Sequence, residues 1–332
     1  MVAKRIGAVL LAAGLVIGAI LLRGALDGDD AEAGTDPSAP TTMAPPRAAS
    51  DLVCITELAA VCRSVAAEIP GLTVRVQPAG TTLDALAAVD GADAPLWVTT
   101  QPFPAMLDEL RRDDPLDVTI EPLAATPLAV ATPTDRAETL TTGCAGSALW
   151  ACIGAHAGGP WTDLGGDASF RTVRPSLGLV EREAVALSSF GAAVAGYAGT
   201  PTPDPAALTA DPAFLGWLRR LSGTVDPATL SAGTPLATMA TRAGSLDIAA
   251  TTDAEVATVG SGRFGVQYPQ PAMQVEAVLA VPAGAAAPDG LADALGTAAE
   301  AAGWAAPGTV TQPVPDARTM LALRTLWRDA TG

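Results

Sequence analysis

Residue types that carry most enzyme chemistry are sparse in this sequence. His156 is the only histidine, and it lies beside a pair of glycines, where a surface or helix-end position is expected. Neither a G-x-S-x-G nucleophile elbow nor an H-E-x-x-H zinc motif occurs. Residues 260–265 match G-x-G-x-x-G, but they follow a predicted helix and precede a predicted strand, the reverse of the dinucleotide-binding order. We therefore predict a protein that is not an enzyme and has no catalytic residue, metal or cofactor.

The cysteines form two pairs with the same spacing. Cys54 and Cys62 are eight residues apart, as are Cys144 and Cys152. An even number of cysteines in an exported chain indicates disulfides, although four cysteines allow three pairings. Zinc binding is the alternative, but zinc ligands usually follow one another more closely. The spacing favours the local disulfides Cys54–Cys62 and Cys144–Cys152.

Composition and charge narrow the classes of partner. The net charge is −16, and hydrophobic residues make up 49% of the chain against 16% charged residues. Such a chain can bury a large core. Nucleic-acid binding requires basic residues that displace counterions, so nucleic acid is excluded as a partner.

The N-terminus has the pattern of a membrane helix. Lys4 and Arg5 precede an apolar run over residues 6–22, which is just long enough to cross a bilayer. The positive-inside rule then places the N-terminus in the cytoplasm. We predict that residues 1–23 are a single-pass anchor in the cell membrane and that the main domain is extracellular. A cleaved signal peptide is the alternative, since residues 31–33 (Ala-Glu-Ala) offer a cleavage site.

Beyond the anchor the sequence predicts a tether and then an α/β fold. Residues 24–50 are rich in Pro, Ala and Asp, which is typical of an extended linker. From residue 51 onward apolar strands alternate with amphipathic helices, which indicates helix-covered, doubly wound sheets. The order predicts two lobes joined by two crossovers, with residues 51–132 and 264–332 in lobe I and residues 133–263 in lobe II.

Four stretches of the chain carry a resemblance to a known family. They are residues 53–58 (VCITEL), 125–133 (ATPLAVATP), 173–178 (VRPSLG) and 266–269 (VQYP). In this order they resemble the type 2 periplasmic solute-binding proteins, and the resemblance covers about residues 51–332. The chain looks most like divergent, membrane-anchored ectodomains of this kind from actinobacteria. The von Willebrand A domain that some of those proteins add is absent, because no D-x-S-x-S run occurs.

The resemblance implies a ligand site in a cleft between the lobes, at the carboxyl ends of the strands. The residues expected there are polar and follow strands or begin helices: Thr56, Glu57, Thr81, Thr82, Thr99, Thr100, Arg174, Ser176, Thr251 and Thr252. Helix capping is the alternative role for these threonines, and a structural ion pair is the alternative for Arg174. Glu57 would repel an anionic ligand.

Two functions follow from the resemblance. In the first, the protein captures a small polar solute for a transporter or a sensor. In the second, the same fold has a degenerate cleft and binds another envelope membrane protein as a scaffold.

Overall fold

The computed structural model describes residues 47–48, 51–89, 93–224, 227–230, 233–260, 262–309 and 316–331. The predicted anchor, residues 1–23, and all but two residues of the predicted linker lie outside these ranges. No helix within the described ranges is long and apolar enough to cross a membrane.

A mixed sheet forms the centre of the molecule. Its strands, with two short flanking strands, are β1 Arg47–Ala48, β2 Asp51–Cys54, β3 Thr73–Val76, β4 Leu96–Thr100, β5 Val118–Pro133, β6 Pro175–Ser176, β7 Ile248–Thr252, β8 Phe264–Gln267, β9 Gln274–Pro282 and β10 Ala285–Ala286. The order is β3-β2-β4-β9-β5-β7-β6, and β8 pairs with β5. The flanking strands β1 and β10 pair in parallel with each other.

The long strand β5 divides this sheet into two halves. Its residues 118–127 pair with β9, which is antiparallel to both β4 and β5, and β2 is parallel to β3 and β4. We call these strands half I. Residues 128–133 of β5 pair antiparallel with β7 and β8, and β6 is parallel to β7. These strands are half II.

Helices connect and cover the strands. They are α1 Ala59–Ala66, α2 Ala79–Leu86, α3 Phe103–Leu110, α4 Thr134–Gly143, α5 Leu149–His156, α6 Ala184–Ala198, α7 Pro205–Thr209, α8 Pro212–Ser222, α9 Pro235–Thr241, α10 Asp253–Val259, α11 Leu291–Ala301 and α12 Ala317–Thr331. Alanine and glycine allow close packing of α6, which is buried along most of its length. Gly154 likewise allows close packing of Trp217, since a Cβ at residue 154 would be 2.0 Å from the indole nitrogen.

Both predicted disulfides are confirmed. Cys54 at the end of β2 is bonded to Cys62 in α1, and Cys144 after α4 is bonded to Cys152 in α5. Each disulfide closes a short loop and thereby restricts the unfolded chain.

Three details differ from the sequence-based expectation. The sheet is mixed rather than a pair of purely parallel sheets, because β9 returns to lie between β4 and β5. The sequence predicts a helix over residues 178–197, but residues 178–183 are not helical and α6 begins only at Ala184. The predicted lobe boundary put β8 in lobe I, whereas β8 pairs with residues 130–133 of β5, in half II.

Candidate functional site

A cavity of about 220 Å³ lies between the two halves of the sheet. Half I contributes the turn after β2 and the first residues of α1, and half II contributes the ends of β7 and the beginnings of α6, α9 and α10. Three carboxylates reach its wall, those of Glu57, Glu183 and Glu255. None of the described residues that line the cavity is basic. The site therefore has acidic character.

Glu57 connects the two sides of the cavity. It lies in the short 3-10 turn Thr56–Leu58, which the disulfide of Cys54 and Cys62 holds between β2 and α1. Its Oε1 accepts a hydrogen bond of 3.1 Å from the backbone N–H of Val185, and its Oε2 accepts one of 2.9 Å from the Thr56 hydroxyl. Val185 is in the first turn of α6, whose N–H groups lack partners within the helix. The carboxylate thus occupies a position that favours negative charge.

Glu183 immediately precedes α6 and is half-buried. Burial raises its pKa to about 7, and the nearby charge of Glu57 contributes to the same shift. Two interactions oppose the rise: the Leu179 N–H donates to Glu183 Oε2 at 3.2 Å, and Arg182 is close by. A carboxyl of this kind exchanges its proton near neutral pH.

Glu255 lies in the first turn of α10 and also lines the cavity. The hydroxyls of Thr234 and Thr251 donate to its two carboxylate oxygens, the second at 2.7 Å. Burial raises the pKa of Glu255, and Glu57 adds to the rise, whereas the two hydroxyl donors lower it. Thr252 accepts a 3.2 Å hydrogen bond from the Glu255 N–H and caps α10.

The rest of the wall is apolar. Trp304 and Val61 lie in it, together with Leu177, Pro235 and several alanines. Apolar walls with a few oriented polar groups are typical of sites for small organic ligands. An aromatic ring beside carboxylates also suits a positively charged ligand.

Comparison with known proteins gives a fold but no relative in sequence. No family model matches the chain, and no curated protein matches it. Among solved structures, the periplasmic binding protein P5PA is 11% identical with a TM-score of 0.51, covering 86% of this chain and 100% of that one. A periplasmic thiamin binding protein is 9% identical with a TM-score of 0.48, covering 90% and 100%. Iron-bound HitA from Pseudomonas aeruginosa is 12% identical with a TM-score of 0.49, covering 84% and 98%.

The fold is that of a type 2 periplasmic solute-binding protein. This is the fold that the resemblance of residues 51–332 implied. At these levels of identity the likeness concerns the fold alone.

Four of the predicted site residues lie at or beside the cavity of this binding-protein fold. Thr56, Glu57 and Thr252 line it. Thr251 is fully buried, and its hydroxyl donates to Glu255. The turn after β2 and the end of β7 are therefore brought together from the two halves of the sheet.

The remaining predicted residues do not line the cavity. Thr81 is exposed within α2, which begins at Ala79, so it is not an N-cap. Thr82 is buried and donates to the Pro78 carbonyl oxygen at 3.2 Å. Thr99 and Thr100 are completely buried in β4.

Arg174 and Ser176 also lie away from the cavity. Arg174 forms an ion pair of 3.1 Å with the buried Asp247, which is the structural alternative given above. Ser176 accepts a 3.2 Å hydrogen bond from the Gly178 N–H, and it lines a separate, more open groove beside residues 219–223.

Two of the three carboxylates were missed as site residues in the sequence. Glu255 was interpreted as the second member of a capping box with Thr252, and it has that contact in addition to its position in the cavity. Glu183 was hidden inside a segment predicted to be helical. The available signal was an acidic residue directly before a long alanine-rich helix.

Proposed function

We propose that this chain is an extracytoplasmic solute-binding protein that captures a small, positively charged organic solute in the cavity between its two lobes. The lobes correspond to the two halves of the sheet. The observation that carries this proposal is the convergence of Glu57, Glu183 and Glu255 on one cavity without a basic residue in its described wall.

The charge of the ligand follows from electrostatics. Burial raises the pKa values of Glu183 and Glu255, and the charge of Glu57 raises both further. A bound cation would relieve this repulsion, whereas an anion would add to it. Oxyanions are therefore poor candidates.

The orientation of the chain in the membrane is part of the same proposal. Residues 1–23 would anchor the protein in the cell membrane with the N-terminus in the cytoplasm, and residues 24–50 would hold the binding domain outside. A transporter or a sensor in the same membrane would be the partner that receives the solute.

A thermal-shift screen tests the proposal. The panel contains small organic cations, each paired with an uncharged isostere; choline and its tert-butyl analogue, in which carbon replaces nitrogen, are one such pair. A ligand at a hundred times its Kd should raise the melting temperature by roughly 5–10 °C. We expect at least one cation to stabilise the protein, and its neutral isostere to have a much smaller effect.

Variants distinguish binding in the cavity from binding elsewhere. Glu255→Gln keeps the shape of the wall but removes a charge, so it should weaken the response to the cation. Glu300→Gln, on the exposed face of α11, is the matched control and should not change the response. Stabilisation by anions alone would contradict the proposed ligand class.

A scaffold with a degenerate cleft, which binds another envelope membrane protein, is the second candidate function. The cavity volume of about 220 Å³ is below the range of roughly 300–1,000 Å³ that is common for ligand sites. Glu57 also already occupies the first turn of α6, where a ligand could otherwise bind. A screen without any stabilising solute, on a folded sample, would favour this second function.

A further inference from the structure

Arg324 in the C-terminal helix α12 binds to both halves of the fold. Its guanidinium donates to Asp84 through two hydrogen bonds of 2.7 Å and to the Gly80 carbonyl oxygen at 3.3 Å. These two residues belong to α2, which follows β3 in half I. Its Nε donates to the carbonyl oxygen of Glu181 at 3.1 Å, in the segment between β6 and α6 of half II. Only 6% of Arg324 is exposed, although Asp84 remains accessible to solvent.

The same two segments touch directly. The N–H of Gly80 donates to the Arg182 carbonyl oxygen at 2.8 Å. The approach is so close that a Cβ at residue 80 would be 2.1 Å from the Glu181 carbonyl oxygen. A side chain at this position would therefore push the two segments apart.

Further contacts join the halves on either side of this point. Glu57 of half I accepts the N–H of Val185 of half II at 3.1 Å. The C-terminal helix also packs on α6, where the rings of Trp327 and Phe190 meet edge to face with centroids 5.0 Å apart. On its other side α12 contacts α3 of half I.

We infer that contacts within the chain hold the two lobes together, so that the cleft is closed before any ligand binds. We call these contacts, with Arg324 at their centre, the strap. Opening the lobes would separate the guanidinium from one set of its acceptors. A buried arginine that loses its partners is costly, which favours the closed arrangement. This inference does not depend on the proposed function, because every contact is between residues of this chain.

Two backbone amides report the strap directly. Gly80 and Val185 both lie in the first turn of a helix, where N–H groups have no partner within the helix. Their hydrogen bonds, from Gly80 to Arg182 and from Val185 to Glu57, each join the two halves. Their protection against hydrogen exchange therefore measures how often the lobes separate.

Hydrogen exchange, measured by NMR on the ligand-free full-length chain, tests the inference. We expect both amides to be protected in the wild type and to exchange faster in Arg324→Gln, by on the order of tenfold or more. Arg318→Gln is the control, since the exposed Arg318 is on the same helix and pairs with Glu109 of α3 in half I. The amide of Val98 in the buried strand β4 should stay protected in every variant and so verifies the fold.

Gly80→Ala is a second variant that tests the strap without removing Arg324. Alanine favours helix more than glycine does, so in a protein whose lobes are apart the substitution should be neutral or stabilising. In the strapped protein it should force the lobes apart and speed exchange at Val185. Fast exchange at both amides in the wild type, or an Arg324→Gln variant that behaves like Arg318→Gln, would overturn the inference. No ligand is present, so the outcome is separate from that of the cation screen.

Discussion

The Glu183→Gln substitution should make the stability of the protein less dependent on pH. Glutamine preserves the shape of the side chain and the acceptor for the Leu179 N–H, but it cannot ionise. The native pKa of Glu183 is raised from 4.5 to about 7, mainly by burial and then by the charge of Glu57. The native state therefore holds a proton that the unfolded chain releases, and wild-type stability falls as the pH rises through this interval.

The size of the effect follows from that shift in pKa. Each pKa unit corresponds to roughly 1.4 kcal/mol, so the rise to about 7 gives about 3 kcal/mol for ionising Glu183 in the folded protein. Some water still reaches the half-buried carboxyl, which lowers the expected figure to about 2 kcal/mol. The charges of Glu57, Arg182 and Glu255 act on the same group, and these three residues are present in both proteins.

Urea denaturation at a series of pH values measures the difference. At about pH 4.5 the variant and the wild type should have similar free energies of unfolding, since Glu183 is protonated in the native state. By about pH 8 the variant should be more stable by about 2 kcal/mol. Glu300→Gln serves as the control. A difference between Glu183→Gln and the wild type that stays constant with pH would refute the reasoning.

Three further predictions concern the framework around the site. Replacing Cys144 and Cys152 together by alanine should lower the free energy of unfolding by about 2–3 kcal/mol, because the loop closed by this disulfide is short; calorimetry measures the loss, and an unchanged melting temperature would contradict it. Asp247→Asn should cost about 3 kcal/mol, because Arg174 and Arg136 lose the charge that they share. The loss should appear in urea denaturation, without any change in the affinity of a cavity ligand. Thr252→Ala should cost about 1 kcal/mol through loss of the N-cap of α10, and Thr252→Ser should restore most of it.

Local patterns in the sequence predicted the individual elements because their apolar residues recur with the period of a strand or a helix. β2 and α1 are examples, and the equal cysteine spacing then gave the disulfide between them. The order and direction of the strands could not be predicted from these local patterns. Pairing of Val118 with Pro282 joins residues far apart in sequence, and hydrophobic period carries no information about such a register.

The carboxyl ends of β2 and β7 lie at the cavity, whereas the carboxyl end of β4 does not. After β2 and β7 the chain turns into short helical segments that begin at Thr56 and Asp253, which leaves the polar groups facing the cavity. Thr100 at the end of β4 pairs with Ala277 of the antiparallel β9, and the Gln101 N–H continues the ladder to Glu276. Because β9 covers this end, Thr99 and Thr100 are buried in the sheet.

The start of α6 explains why Glu183 was missed. The helix predicted over residues 178–197 included Leu179, Val180 and Glu183. In the fold Gly178 has a positive φ of 95°, and the segment is a loop with a turn at residues 180–182 until α6 begins at Ala184. The contacts that hold this loop come from Gly80 and Arg324, which lie far away in the sequence.

Calorimetric titration can show directly whether a cation binds between Glu57, Glu183 and Glu255, as we propose. The most stabilising cation of the screen is titrated near pH 7 in two buffers of different ionisation enthalpy. We expect protons to be released on binding, because a bound cation lowers the pKa of Glu183 from its value of about 7. We also expect that Glu183→Gln abolishes this release and that the neutral isostere binds much more weakly. Equal affinity for the cation and its isostere, without proton release, would contradict the proposal.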